Sequence, residues 1–190
     1  MITLPKLILA SGSPRRSEIM NSVGWKFTKD VPDIDESELE DEDPATYVQR
    51  LAKEKAEAVA ASHPGEIILA ADTTVVINDQ IIGKPIDLDD ARRMIRMLSG
   101  NWHEVLTGIA VMKDTKVDVG LQRTRVKFVA MNDAEIEFLV GKGDPLDKAG
   151  AYAVQAQAAL FIEGIEGDYW NVVGLPIGLV YQMVMKSEAS

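Results

Sequence analysis

The chain has 190 residues, 46% of them apolar and 26% charged, which is enough for a single globular domain over residues 1–190 with a substantial core. It contains no cysteine, which excludes disulfides, thiolate catalysis and zinc–thiolate sites, and its formal net charge of -10 argues against nucleic acid as a partner. No apolar run reaches the length of a membrane span and no cleavable leader opens the chain, so we expect a cytoplasmic protein without a membrane partner.

The first predicted element is a buried strand, Leu7–Ala10, which enters a helix at Pro14 through the turn Ser11-Gly12-Ser13. Such a turn points backbone N–H groups and the positive end of the helix dipole at one place. Arg15 and Arg16 add two cations at this end, where the dipole disfavours them. The pattern favours a phosphate pocket that includes Ser11, Ser13 and both arginines. The alternative is a surface helix with two solvated arginines.

An acidic segment follows, with eight carboxylates in residues 33–43, and it predicts a solvated loop. Asp35 and Glu36 lie nearest to the preceding structured part, so they are the acids best placed to reach a site. Taken alone, they are better explained as part of the solvated loop.

Asp43 and Pro44 predict the start of a helix that runs to about Ser62. Lys55 falls on the apolar stripe of this helix, four residues after Leu51. Two interpretations stay open: the lysine snorkels to water, or it places its ammonium in a cleft.

A second buried strand, at residues 67–71, ends on Asp72, whose carboxylate would need cations or a metal once it loses its hydration. We expect the strand to continue to a two-residue hairpin turn at Asn78-Asp79. In that register Thr73 pairs with Lys84, so Asp72 and Lys84 are predicted to be neighbours.

Local signals predict the remaining elements. These are a helix capped by Asp87 and ended by Ser99-Gly100, strands at residues 103–112 and 117–129, a short helix capped by Asn132 and a last helix at residues 177–185. We expect both histidines, His63 and His103, to be structural.

Gln155 is an amide in the strand-like beginning of the small-residue stretch at residues 151–159. An amide there can read a base edge through its paired donor and acceptor. It can equally bond a backbone group in the core.

Together, the candidate cations and carboxylates suit a magnesium-bound polyphosphate. One or both of Glu36 and Asp72 would hold the metal together with phosphate oxygens, with Asp72 as base or metal ligand. Lys55 and Lys84 would offset the developing charge. A Walker-type loop, a Ser/His/Asp set and a histidine metal cluster are absent from the sequence. The residues alone thus predict a metal-assisted phosphate-ester or anhydride hydrolase.

Seven blocks, spread over almost the whole chain, resemble the Maf family of nucleoside triphosphate pyrophosphatases in the family's order. They are Leu7-Ile8-Leu9-Ala10-Ser11-Gly12-Ser13-Pro14-Arg15-Arg16, Glu54-Lys55-Ala56, Ala71-Asp72-Thr73, Gly83-Lys84-Pro85, Leu98-Ser99-Gly100, Pro145-Leu146-Asp147-Lys148-Ala149-Gly150-Ala151-Tyr152 and Val173-Gly174-Leu175-Pro176.

The resemblance implies hydrolysis of a nucleoside triphosphate to the monophosphate and pyrophosphate with a divalent metal cation, Mg²⁺ or Mn²⁺, and it suggests a homodimer. It implies an α/β fold similar to the inosine-triphosphate pyrophosphatases, with a long curved mixed sheet flanked by helices and two lobes around a central cleft. Asp72 matches the family's proton acceptor. The positions that mark substrate choice match Arg15, Thr73 and Gln155, and those lining the cleft match Glu36, Lys55 and Lys84.

Three markers resemble the branch of the family that acts on dTTP and UTP: Arg15, Thr73 and the stretch from Asp147 to Gln155. The alternative branch acts on 7-methyl-GTP and would carry glutamine at position 73. Ala153 and Ala156 depart from the pattern, because the dTTP/UTP branch tends to have glycine there, and their methyl groups could narrow the base pocket.

Other functions remain possible besides the hydrolysis of dTTP and UTP. Modified pyrimidine triphosphates such as 5-methyl-UTP are additional candidate substrates, which would keep modified nucleotides out of nucleic acids. A different class is a nucleotide-sensing regulator of septum formation and cell division that acts by binding.

Overall fold

The structure, a computed structural model, describes residues 2–188. Its strands are β1 Leu7–Ala10, β2 Phe27–Lys29, β3 Ile67–Ile77, β4 Gln80–Ile82, β5 Trp102–Lys113, β6 Lys116–Phe128 and β7 Ile162–Glu166. Its α-helices are α1 Pro14–Ser22, α2 Pro44–Ala60, α3 Leu88–Leu98, α4 Asp133–Lys142, α5 Tyr169–Val173 and α6 Ile177–Glu188.

The seven strands described within residues 2–188 form one mixed sheet with the order β2-β1-β3-β5-β6-β7, and β4 pairs with β3. β1 lies parallel to both β2 and β3, whereas the β3–β4 and β6–β7 pairs are antiparallel. β1 is buried along its whole length, as its uninterrupted apolar sequence predicts. The expected α/β class, a mixed sheet flanked by helices, is confirmed.

The chain divides into two compact units. The first comprises the chain up to Asp72, Thr107–Gln122 and the chain from Gly174 onward, and the second comprises Thr73–Leu106 and Arg123–Val173. None of the helices described between residues 2 and 188 has the length and apolarity needed to cross a bilayer.

Small side chains allow α2 to pack closely in the first unit. The core there combines apolar residues of α2, β1, β3 and β5: Ile8, Ala10, Ala52, Ala56, Val59, Ile68, Ala70 and Ala110. A Cβ at Gly108 would lie 2.1 Å from the carbonyl oxygen of Val48, so α2 and β5 touch backbone to backbone at this point. This close packing fixes the distance between α2 and the sheet, and therefore the positions of the side chains on the inner face of α2.

The predicted helix starts are confirmed. The Asp43 carboxylate accepts hydrogen bonds from the backbone N–H of Ala45 (3.0 Å) and of Thr46 (3.1 Å), and Asn132 forms a complete capping box with Glu135. α2 ends at Ala60, two residues before the expected end.

The predicted hairpin turn is also confirmed. Asn78 and Asp79 have φ values of 52° and 59°, as a type I′ turn requires, and the ladder starts from the expected register with Val75 opposite Ile82. β4 ends at Ile82, however, so the expected Thr73–Lys84 pair lies beyond the ladder of this hairpin.

One expectation for the last third of the chain is wrong, and two elements there had no predicted counterpart. Gln155 lies in a turn and is exposed, so it belongs neither to a strand nor to the core. β7 and α5 were not predicted, because the sequence of β7, Ile-Glu-Gly-Ile-Glu, lacks the regular apolar alternation of a half-buried strand.

His103 lies in an aromatic cluster of the second unit. Its ring stacks on Phe128 at a centroid distance of 5.6 Å, and its Nε2 lies 2.7 Å from the Tyr152 hydroxyl. The ring is only 2% exposed, and burial lowers the pKa of His103 from 6.5 to about 3. His63 instead lies 2.8 Å from the carboxylate of Asp30 in the first unit. Both contacts suit structural roles.

His103 should make the free energy of unfolding depend on pH. Its folded pKa lies below that of the unfolded chain, so the unfolded state binds more protons and stability falls as the pH drops from 6.5 towards 3. The loss is on the order of 1.4 kcal/mol per pKa unit. We expect His103→Gln to make this loss shallower in urea denaturation between pH 7 and 4.

The matched variant is His63→Gln, which removes the other histidine, at a partly exposed position, and so separates the effect of the buried ring from the loss of a histidine in general. Identical slopes for wild type and His103→Gln would contradict the assignment.

Candidate active site

Two polar groups hold Arg16, one from the turn after β1 and one from the segment before α6. Arg16 donates from Nη1 to the Ser11 hydroxyl (3.0 Å) and from Nε to the carbonyl of Gly174 (2.9 Å). The Ser11 hydroxyl also accepts from the backbone N–H of Ser13 (3.2 Å). Arg16 is half-buried, so the alternative of two fully solvated arginines is wrong for this residue. Arg15 beside it is half-buried as well.

Lys55 lies between two carboxylates. Its Nζ is 2.7 Å from Oδ1 of Asp72 and 2.7 Å from Oε1 of Glu36. Lys55 and Asp72 are 7% and 8% exposed, whereas the Glu36 side chain is 50% exposed. Lys55 therefore does not snorkel to water, and its ammonium is held beside Asp72. Glu36 is correspondingly the one acid of residues 33–43 that reaches Lys55 among the described ion pairs.

Burial and charge compete at Asp72. Burial raises the pKa of its carboxyl group above the usual 3.8, the cations Lys55 and Arg16 act in the opposite direction, and the nearby charge of Glu36 raises it further. Burial also lowers the pKa of Arg16, a change that Asp72 opposes. The two carboxylates and two cations thus act on one another as one electrostatic group.

Three predicted site residues belong to the second unit. Thr73 follows Asp72 on β3 and is half-buried, and Lys84 is exposed just after β4. Gln155 is exposed in a turn that a hydrogen bond from the N–H of Ala156 to the carbonyl of Ala153 closes (3.1 Å). Both alanines therefore flank Gln155 in the same turn.

The carboxylates suit a divalent cation only in part. Among residues 2–188, His, Asp and Glu form no group of three or more that could hold a metal ion. Glu36 and Asp72 nevertheless converge on a single ammonium, so they bracket a position that a cation occupies. Mg²⁺ is commonly held by one or two carboxylates, with waters and substrate phosphates completing the shell. The pair fits this kind of site and does not fit an all-protein cage.

Two residues of α2 that the sequence analysis missed hold the loop before it. Tyr47 donates from its hydroxyl to the carbonyl of Glu36 (3.0 Å), and Arg50 binds Glu42 and the carbonyl of Ser37. The signal available in the sequence was the run of acids in residues 33–43, to which a basic residue of the next helix can bind.

These features define a class: an α/β protein whose sheet carries a buried aspartate between cations, together with an arginine-bearing strand–helix turn. Such groups suit the binding of a polyphosphate. The model of the Maf family, described as Maf-like protein, matches residues 6–187, and the chain belongs to this family. The expected family is confirmed.

Three relatives are named dTTP/UTP pyrophosphatase. The one from Symbiobacterium thermophilum is 45% identical over 181 residues, which cover 95% of this chain and 93% of the relative. The one from Anaeromyxobacter dehalogenans is 48% identical and covers 91% and 89%. The one from Geobacillus is 43% identical and covers 96% and 98%.

Two solved structures have a similar fold. The Ham1 protein of Staphylococcus aureus gives a TM-score of 0.51 at 12% identity and covers 82% of this chain and 90% of its own. A HAM1 protein from Coxiella burnetii gives a TM-score of 0.51 at 18% identity and covers 83% and 92%. At these identities the likeness concerns the fold alone.

The Lys55–Asp72 pair predicts a pH-dependent loss of stability. Lys55→Met keeps most of the aliphatic stem but leaves Asp72 without its hydrogen-bonded cation, which should cost about 3 kcal/mol of unfolding free energy at pH 7. The substitution raises the pKa of Asp72 further, so the folded state binds more protons and the loss should shrink as the pH falls. Urea denaturation at pH 7 and pH 5 measures both effects.

Lys53→Met is the matched control, because Lys53 lies on the same helix in an exposed ion pair with Glu57 at 3.6 Å and should contribute less than about 1 kcal/mol. Adding Asp72→Asn to Lys55→Met should recover part of the loss. A Lys55→Met loss that stays constant with pH would contradict the argument.

Proposed function

We propose that this protein hydrolyses dTTP and UTP to the nucleoside monophosphate and pyrophosphate. Support comes from the names of relatives that are 43–48% identical over most of both chains. The observation that carries the proposal is the buried Asp72 carboxylate, 2.7 Å from the Lys55 ammonium and within the field of Arg16. A carboxylate kept between cations in a buried place suits proton transfer beside an anionic substrate.

In this reaction Asp72 accepts a proton from the attacking water. Its raised pKa makes it a stronger base than an exposed aspartate, while Lys55 and Arg16 favour its ionised form. Ser11, Ser13 and Arg16 bind the phosphates at the turn before α1, together with Lys55 and Lys84. These groups stabilise the charge that develops on the phosphate oxygens.

Glu36 and Asp72 would hold a Mg²⁺ or Mn²⁺ ion together with the phosphates of the nucleotide. When bound, the ion supplies Lewis-acid polarisation of the phosphoryl oxygens. The Lys55 ammonium contacts both carboxylates and offsets part of their combined negative charge.

Arg15, Thr73 and Gln155 determine the choice of nucleotide. The exposed amide of Gln155 can pair its donor and acceptor with the imide edge that thymine and uracil share. Ala153 and Ala156 flank it in the same turn, so their methyl groups influence the relative rates for dTTP, UTP and 5-methyl-UTP. We also propose that the protein works in the cytoplasm as a homodimer.

A substrate panel tests the reaction and the branch of the family together. With Mg²⁺ or Mn²⁺ present, dTTP and UTP should give the monophosphate and pyrophosphate, and 7-methyl-GTP should react far more slowly. Chromatography of the nucleotides and a pyrophosphate assay measure the products. Asp72→Asn should lower kcat by about 10²–10⁴-fold, because it removes the proton acceptor at nearly constant shape.

If no nucleotide in the panel were converted, the proposed reaction would be ruled out. A preference for 7-methyl-GTP in direct competition would assign the chain to the other branch. Retained turnover in Asp72→Asn would show that Asp72 is not the proton acceptor.

Gln155→Ala tests recognition of the base. Loss of a bidentate contact costs about 1–3 kcal/mol, so kcat/KM for dTTP and UTP should fall by about 5- to 150-fold. Steady-state kinetics with both nucleotides measure this change.

Gln157→Ala is a suitable control for Gln155→Ala, because Gln157 is an amide only two residues away at the start of the next helical turn. It should leave kcat/KM within about twofold of wild type. Equal effects of both substitutions would argue against a specific contact with the base.

A further inference from the structure

The loop of residues 33–43 presents a physical problem. It carries eight carboxylates in eleven residues, and these charges repel one another. The loop also has no regular secondary structure that would hold it in place. Yet it must deliver the Glu36 carboxylate to within 2.7 Å of Lys55. The Glu36 side chain is 50% exposed, and an ion pair of this exposure contributes at most about 1 kcal/mol. The ion pair alone therefore does not hold the loop in place.

Arg50 binds the loop at two points. Its guanidinium forms a fork on Glu42, with Nε to Oε1 and Nη2 to Oε2 both at 2.7 Å, and Nη2 also donates to the carbonyl of Ser37 at 3.0 Å. The Glu42 side chain is only 4% exposed, and its Oε2 accepts in addition from the N–H of Leu39 at 3.2 Å. A bidentate contact of this kind fixes orientation as well as distance.

Tyr47 holds the adjacent peptide. Its hydroxyl donates to the carbonyl of Glu36 at 3.0 Å, and its ring lies 5.7 Å from the guanidinium carbon of Arg50. Tyr47 and Arg50 are three residues apart on α2, and therefore on the same face of the helix. The carbonyls of Glu36 and Ser37 are thus both bound to the helix that carries Lys55.

We infer that Arg50 and Tyr47 are positioning residues, which bind the carbonyls of Ser37 and Glu36 so that the Glu36 carboxylate stays on Lys55. This inference rests on the proposed function, because it assigns the two residues a part in the same reaction through Glu36. Neither residue touches the reacting groups. The fork on Glu42 also offsets the charge of one of the loop's eight acids.

The test compares Arg50→Met and Tyr47→Phe in wild-type and Glu36→Gln backgrounds. We expect Arg50→Met to lower kcat/KM for dTTP about 10-fold, as loss of an outer contact to a functional carboxylate does, and Tyr47→Phe about fivefold. In the Glu36→Gln background each substitution should lower kcat/KM for dTTP by less than about twofold. Equal losses in both backgrounds would mean that the residues support the fold alone and would overturn the inference.

Two carboxylates on the same arginine supply matched variants. Glu42→Gln removes the loop's side of the fork and should reproduce most of the Arg50→Met loss. Glu54→Gln removes only the contact within α2, at 3.2 Å to a side chain that is 39% exposed, and should stay within about twofold of wild type. Arg50→Lys keeps the charge but not the fork, so it should not restore activity. A Glu54→Gln loss equal to that of Glu42→Gln would contradict the inference.

Hydrogen exchange of the peptide that covers residues 35–42 provides a readout independent of turnover. Arg50→Met should make the Leu39 amide, bound to Glu42, exchange about tenfold faster, and Glu54→Gln should leave it unchanged. If wild type converted neither dTTP nor UTP, the proposed function would fall, and unchanged exchange in Arg50→Met would separately overturn the positioning of the loop.

Discussion

The contact between Lys55 and Asp72 is the constraint on which the site depends. A carboxylate at 8% exposure is costly to keep ionised, and the ammonium at 2.7 Å is the closest group that offsets this cost. Lys55 reaches it because α2 packs directly on the sheet, where Gly108 leaves no side chain between the two backbones. The packing of α2 on the sheet therefore determines both the core of the first unit and the position of the Lys55 ammonium.

Short-range signals explain how much of this fold could be predicted. Asp43 and Pro44, the Asn132 capping box and the Asn78-Asp79 turn each act within a few residues, so their effects can be read directly from the sequence. The uninterrupted apolar run of β1 likewise predicts burial on both faces. In the second unit such signals are weak, and Gln155 was misplaced because its turn follows positive φ values at Gly150 and Ala151 that few sequence cues announce.

The sequence indicated which residues belong to the candidate site better than it indicated which of them touch. Lys55 could be placed on the inner stripe of α2 by helical spacing, but that spacing allowed either a snorkelling lysine or a buried one. The choice depends on Asp72 and Glu36, which come from other segments of the chain, so no local pattern contains it. Arg50 was missed for a related reason, because an arginine on an exposed helix face looks the same whether or not a loop folds onto it.

The acidic loop shows how a protein with a net charge of -10 can keep cations in its candidate site. Its buried carboxylate, Glu42, is bound by Arg50, and Glu36 contacts Lys55, while other acids such as Glu38 and Asp41 remain exposed to solvent. Screening by water and salt weakens the exposed charges, whereas those of Arg16, Lys55 and Asp72 act over short distances in a partly dehydrated place. Net charge therefore describes the surface of this molecule, and the local geometry of a few paired groups decides what the site can bind.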